Sequence, residues 1–367
     1  MTRVILFRDY NGAELGIDTP LTSNIDLNEV KHSLDIPAFV NTQNYIMEKA
    51  VLILYAASNA QKIREAHRTI FPKGFGSMPI PALLFGGVAI RMHSPSCNDP
   101  ESPFFREPND IDLILPKKRG SDLVNLLLKL GEIYGTRYYH FVTASDKTFN
   151  AIRGGARYRV RTIEKIAEDG APTPGVLDIL TDSVELRHKV DVTRDFSTPA
   201  QHRHTISLAN ILLTKCQFIF DAPASVIPQI SEAGLDYRFL NYPMLKSNRV
   251  VVGMEEKDIR DVCAILADNP VDGSDAAESV DLTRIKEVLQ RDKKFALTFR
   301  LNLQNIVEKP QILEGLKIGG STISRITDGI RRILEVVPVI DKKWDTPWWN
   351  TDVETPDIFG KAKVNSN

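Results

Sequence analysis

Pro108-Asn109-Asp110-Ile111-Asp112-Leu113-Ile114-Leu115 is the stretch on which the reading of this chain turns. It reads as a compact strand, Ile111 to Leu115, entered through two aspartates. Residues two apart on a strand share a face, so Asp110 and Asp112 project together, roughly 6–7 Å apart at Cα. Ile111, Leu113 and Leu115 take the opposite face and enter the core. Two neighbouring carboxylates repel, and the cost grows near an apolar interior. A divalent cation removes it. Magnesium favours carboxylate oxygens completed by substrate phosphates, so Asp-x-Asp suits a Mg-nucleotide site, with Mn²⁺ as the alternative ion. The plainer alternative is a strand end with two solvated aspartates.

Upstream lies Leu83-Leu84-Phe85-Gly86-Gly87, a short apolar run ending in two glycines with a helix expected after them. Glycines there let backbone N–H groups approach a phosphate without a Cβ between, and a helix N-terminus adds a favourable dipole. A tight turn is the alternative. Downstream, Asp178 in Val176-Leu177-Asp178-Ile179-Leu180 and Asp191 in Lys189-Val190-Asp191-Val192 each sit among apolar residues. A buried carboxylate needs a partner or a metal. Either one would complete a set of three, with Asp178 preferred for its more apolar strand and Asp191 held open. Three carboxylates accommodate two metals roughly 4 Å apart.

Gly-Gly, then Asp-x-Asp, then a later lone Asp resembles the signature of nucleotidyltransferases of the DNA-polymerase-beta superfamily. Two further segments sharpen the likeness. Ile206-Ser-Leu-Ala-Asn-Ile-Leu-Leu-Thr-Lys215 and Glu256-Lys-Asp258-Ile-Arg-Asp261 resemble elements of the abortive-infection (AbiE-type) nucleotidyltransferase toxins. The resemblance spans roughly 80–268. It implies Mg²⁺ held by Asp110, Asp112 and a third carboxylate, an NTP substrate, Lys215 on nucleotide phosphate and Asp258 supporting the site. It also implies an RNA acceptor, such as a tRNA end, and a cognate antitoxin. Two features depart from the family: an insertion, Ser94 to Pro108, between Gly-Gly and Asp-x-Asp, and a second glycine where many members carry serine.

Lys215 also has a reading of its own. Leu208, Ile211 and Leu212 precede it by seven, four and three residues, placing it on the apolar stripe of its helix. A desolvated lysine wants an anion, whether a phosphate or Asp258 and Asp261, which share a helix face. Arg157, Arg159 and Arg161 alternate on a strand. They form either a phosphate- or RNA-holding face or a solvated edge strand. Arg91 and Arg106 flank the carboxylate motif, and His188 reads as structural. Trp344, Trp348 and Trp349 read as pins for an extended tail more readily than as base-stacking platforms.

The 367 residues carry 46 basic and 47 acidic side chains and are 43% hydrophobic and 25% charged. That balance argues against a surface committed wholly to nucleic acid and leaves room for a local basic patch. Cys97, Cys216 and Cys263 lie far apart, fit no zinc spacing and cannot pair evenly, which points to a reducing, cytoplasmic setting. The longest apolar run, Ala50 to Ala57, is far too short for a membrane span. The expected class is α/β (α+β): a nucleotidyltransferase-fold mixed sheet flanked by helices, followed by a helical domain. The expected divisions are 1–80 with one long helix from Thr42 to about Ile70, an α/β core at 81–205, helices at 206–340, and a tail at 341–367.

Three functions of different classes fit. The first moves a nucleoside monophosphate from NTP to a hydroxyl on RNA, a small molecule or a protein. The second is a non-catalytic nucleotide- or RNA-binding module. The third is another Asp-x-Asp enzyme. Leu113-Ile114-Leu115 after the pair disfavours an aspartate-nucleophile phosphatase, and a helical 1–80 disfavours a glycosyltransferase.

Overall fold

The computed structural model describes residues 7–8, 14–15, 27–66, 68, 71, 79–134, 141–145, 147–166, 172–197, 204–243, 248–272, 278–344 and 347–352. Ile70, the expected end of the long helix, lies outside them. The chain is a mixed α/β protein of the α+β kind. It forms two compact units. The first contains 1–98, 106–183 and 191–206; the second contains 99–105, 184–190 and 207–367. Segment 1–80 therefore belongs with the sheet, and the tail with the helices.

In the first unit, the two-residue strands β1 (Phe7–Arg8) and β2 (Glu14–Leu15) pair with each other. Helix α1 (Leu27–Ser33) leads to α2 (Tyr45–Ser58). Asn44 caps α2, its side chain accepting from the N–H groups of Ile46 and Met47, so the helix starts later than Thr42. It also ends sooner: Asn59 interrupts it before α3 (Ala60–Ala66). Ten of the fourteen α2 residues are buried, which marks a central helix with little wet surface.

A five-stranded sheet follows, built from β3 (Leu83–Phe85), β4 (Asp112–Leu115), β5 (Phe141–Ser145), β6 (Arg157–Ile166) and β7 (Pro172–Thr181). Its order is β3-β4-β7-β6-β5. Only the β4–β7 pair is parallel. Helix α4 (Gly86–His93) leaves β3 directly, and α5 (Gly120–Tyr134) follows β4. Leu113, Ile114 and Leu115 are all buried, so β4 is covered on both faces, as a continuous apolar run implies. Strand β4 begins at Asp112, one residue later than expected. Strand β6 lies inside the sheet, which removes the edge-strand reading of its arginines.

In the second unit, helices span Leu208–Lys215, Glu256–Asp268, Leu282–Arg291, Lys293–Glu308 and Gly320–Val336. Leu282–Arg291 and Lys293–Glu308 are separate helices because Asp292 accepts from the Phe295 N–H and caps the second. The antiparallel strands Phe220–Pro223 and Arg249–Val252 were not expected. Trp348 and Trp349 are buried against Ile219, Leu240, Val251 and Leu297, as tail-pinning aromatics should be. The Trp348 indole N–H donates to Thr298 Oγ1 at 2.9 Å, and His188 Nε2 meets the same hydroxyl at 2.8 Å. His188 stacks on Phe295, a structural role. Among the described residues, no helix is long and apolar enough to cross a membrane.

Candidate active-site cleft

Register places the acidic groups. Asp112 opposes Phe85 on β3 and Asp178 on β7, and Asp178 in turn opposes Arg159 on β6. Directly paired residues share a face, so Asp112, Asp178 and Arg159 form one row across three strands. Asp110 precedes the strand in extended chain and is exposed. It nevertheless lines the same cleft as Asp112 and Asp178, a space of about 360 Å³. Ile46 and Lys49 of α2 and the half-exposed Val176 of β7 line it too. Both members of the Asp-x-Asp pair thus face one space, although only Asp112 is held by the sheet.

Gly86 stands against that row. It turns the chain from β3 into α4 at φ +68°, a left-handed conformation that favours glycine. A Cβ there would collide with Asp112 Oδ2. Gly87 is crowded on its other side: a Cβ would lie 2.5 Å from Arg106 Nη2. Gly86 is favoured by its backbone conformation as well as by the carboxylate beside it, whereas Gly87 has only the end of a flexible guanidinium against it. Arg91 is buried; its guanidinium donates to Asn98 Oδ1 at 3.4 Å and to the Arg106 carbonyl, which ties down the inserted segment.

Asp178 is the third carboxylate of the cleft. Asp191 is not among the residues lining it. It is exposed and accepts from the Thr193 N–H and hydroxyl at 2.9 and 2.7 Å, closing a local turn. Asp178 is not idle: Arg159 Nε reaches its Oδ1 at 3.2 Å, and Arg157 pairs with Oδ2. Both arginines also lie over the Phe149 ring, Arg159 at 4.3 Å. Sequence periodicity aligned the arginines correctly but gave no sign that an aspartate on the next strand would take them.

Lys215 and Asp258 belong to the second unit. Lys215 Nζ contacts Asp258 Oδ1 at 3.1 Å and Asp261 Oδ2 at 2.8 Å. Asp258 and Asp261 are nearly inaccessible, and burial raises the Asp258 pKa while Lys215 draws it back down. The ion-pair reading of the Lys215 helix therefore holds. Burial also pushes the thiols of Cys216 and Cys263 up, Cys263 to about 12, and all three cysteines are buried and outside any disulfide.

Among the described residues, no group of three or more His, Cys, Asp or Glu side chains is gathered closely enough to cage a metal alone. Magnesium does not require that; one or two carboxylates plus substrate phosphates suffice. Asp110 and Asp112, both acidic and both open to the cleft, fit that demand. No family model, no curated protein and no solved structure matches the chain. The reading of the cleft rests on its own geometry. Lys49 escaped sequence reading, because a lysine inside a strongly apolar helix is indistinguishable there from a solvent-facing one.

Proposed function

We propose that the chain is a magnesium-dependent nucleotidyltransferase that moves a nucleoside monophosphate from NTP to a hydroxyl acceptor. One observation carries this reading: Asp112 and Asp178 are register partners on adjacent strands, share a cleft with Asp110, and abut a glycine turn that opens a helix. Asp110 and Asp112 would hold the cation, with Mn²⁺ as substitute. Bound there, the metal supplies neutralising charge to the triphosphate and acidity to the acceptor hydroxyl. The N-terminus of α4, entered through Gly86 and Gly87, would offer backbone N–H groups and a favourable dipole to phosphate. Asp178 would steer the acceptor side, which requires Arg157 or Arg159 to free one of its oxygens. In this reading the acceptor is RNA, a tRNA end among the candidates that the toxin resemblance implies. A cognate antitoxin and a cytoplasmic site of action follow from the same resemblance.

Labelled NTPs incubated with Mg²⁺ and total RNA, comparing wild type with Asp110→Ala and Asp112→Ala, test the reading. Labelling should require both aspartates, and equal labelling by all three proteins removes the catalytic claim. A second reading, a nucleotide- or RNA-binding module without turnover, is favoured by the two arginines held on Asp178. It predicts nucleotide binding by calorimetry with no labelled product.

A further inference from the structure

Strand β6 carries three arginines on one face. Arg157, Arg159 and Arg161 are register partners of Leu180, Asp178 and Val176 on β7, so the arginines stand on the face that bears Asp178. The helix Lys147–Ile152 is tied to the same strand. Its Asn150 Oδ1 accepts from the Arg159 N–H at 2.7 Å. The guanidiniums of Arg153, Arg157 and Arg159 stand 5.5, 5.5 and 4.3 Å from the centre of the Phe149 ring. Asp178 takes Arg157 and Arg159. Arg153 and Arg161 are exposed, and among the described residues neither has a carboxylate partner. Four positive charges therefore meet one negative charge. Edge strands use such charges to refuse pairing, but β6 lies between β7 and β5, so that explanation does not apply.

Val176 stands out on the same face. It is 46% exposed, and it lines the cleft. Arg161 is directly opposite it, which sets their Cβ atoms about 4.5–5.5 Å apart. A cation and an exposed apolar side chain thus stand side by side at the border of the cleft. A guanidinium pairs with phosphate and stacks on a base, and methyl groups can take the face of a base. Alternate positions on β6 recur every 6–7 Å or so, a repeat suited to successive phosphates of an extended strand. An acidic peptide would match the charge but would offer no flat ring to the valine. We propose that this ledge binds a single-stranded nucleic acid, with phosphates on Arg153 and Arg161 and a base on Val176, leading its end toward the cleft. The nucleotidyltransferase reading underlies the proposal only in making that strand the acceptor.

Fluorescence anisotropy with a short 5′-labelled single-stranded RNA tests it, using wild type, Arg153→Gln, Arg161→Gln, Val176→Ser and, as a control in the helical unit, Arg331→Gln. Each ledge arginine variant should weaken binding about three- to tenfold and flatten the slope of log affinity against log salt by about 0.7. Val176→Ser should weaken binding of the RNA but not of the same strand without bases, and Arg331→Gln should bind as wild type does. In the labelled-NTP assay, Arg161→Gln should raise KM for RNA and leave KM for NTP unchanged. Wild-type affinity in both ledge arginine variants overturns the proposal and leaves nucleotidyl transfer standing with its acceptor elsewhere. Displacement of the RNA by polyglutamate at equal charge overturns it in favour of an acidic protein partner. Ledge-dependent binding with no labelled product from wild type sinks the nucleotidyltransferase reading and leaves the strand-binding surface in place. Should a ledge variant fail to fold, wild type alone decides. A salt slope of about −1.4 or steeper, the release expected from two phosphates, supports the ledge, and a salt-independent affinity overturns it.

Discussion

Two clusters of charge differ in how they meet water. In the first unit, Asp110 is exposed, Asp112 half-buried, and Asp178 retains 21% side-chain exposure beside an open cleft. In the second, Asp258 and Asp261 keep 2% and 4%, with Lys215 closed over them. The first cluster is arranged so that something arriving from solvent can alter its balance. The second is closed on itself, one ammonium shared by two buried carboxylates. Acidic residues beside basic ones therefore differ by depth: the open set is accessible to a ligand, and the closed set is not.

The contrast can be broken most decisively at Lys215. Lys215→Met strands two buried carboxylates and should cost about 3–5 kcal/mol, read as a lower urea midpoint. A small loss of stability accompanied by lost NTP affinity would instead return Lys215 to the phosphate role. At the open cluster the signs reverse. Asp112→Asn should remove about a thousandfold of nucleotidyl transfer, or about 4 kcal/mol of transition-state stabilisation. Its thermal midpoint should barely move, since a repelling charge is gone.

His188 sharpens the comparison from the buried side. Burial lowers its pKa to about 4, with Asp292 opposing and Lys294 and Arg187 reinforcing. Above pH 6.5 it is neutral folded or unfolded and contributes no pH dependence. Between pH 6.5 and 4 the unfolded chain binds the extra proton, so up to about 3 kcal/mol of stability disappears as pH falls. Urea midpoints at pH 7 and pH 4.5 should show the drop, and His188→Gln should flatten it. The smallest effect is expected at Gly86. Gly86→Ala should cost about 1–2 kcal/mol through its positive φ, and should also lower Mg²⁺ affinity by displacing Asp112.

Local pattern made part of this legible. The apolar Leu83–Phe85, the glycines, the alternation around Asp178 and the stripe of Glu256–Asp268 each encode their element within a few residues. What crosses the chain was hidden. No periodicity tells that Asp178 sits beside Asp112 with Arg159 on its other flank, because strand order is decided by how whole faces pack. The division at Asp292 was written in the sequence as a capping aspartate, but continuous apolar spacing on either side masked it. Residues 183–191 form two short strands, Ser183–Glu185 and Lys189–Asp191, with a bend where Arg187 donates to the Asn350 carbonyl. Lys49 needed the tertiary structure most, since only the packing of α2 reveals that its lysine has nowhere wet to go.

The tryptophans at 348 and 349 bear on the order in which the protein matures during synthesis. They fill the hollow between Ile219, Leu240, Val251 and Leu297, which lie about 50 to 130 positions earlier. The helical unit therefore stays unsealed until residue 349 has cleared the ribosome, while the sheet unit has all its parts once residue 206 emerges. A nascent chain stalled in between would display a finished half tethered to an adhesive one, the kind of surface that chaperones engage.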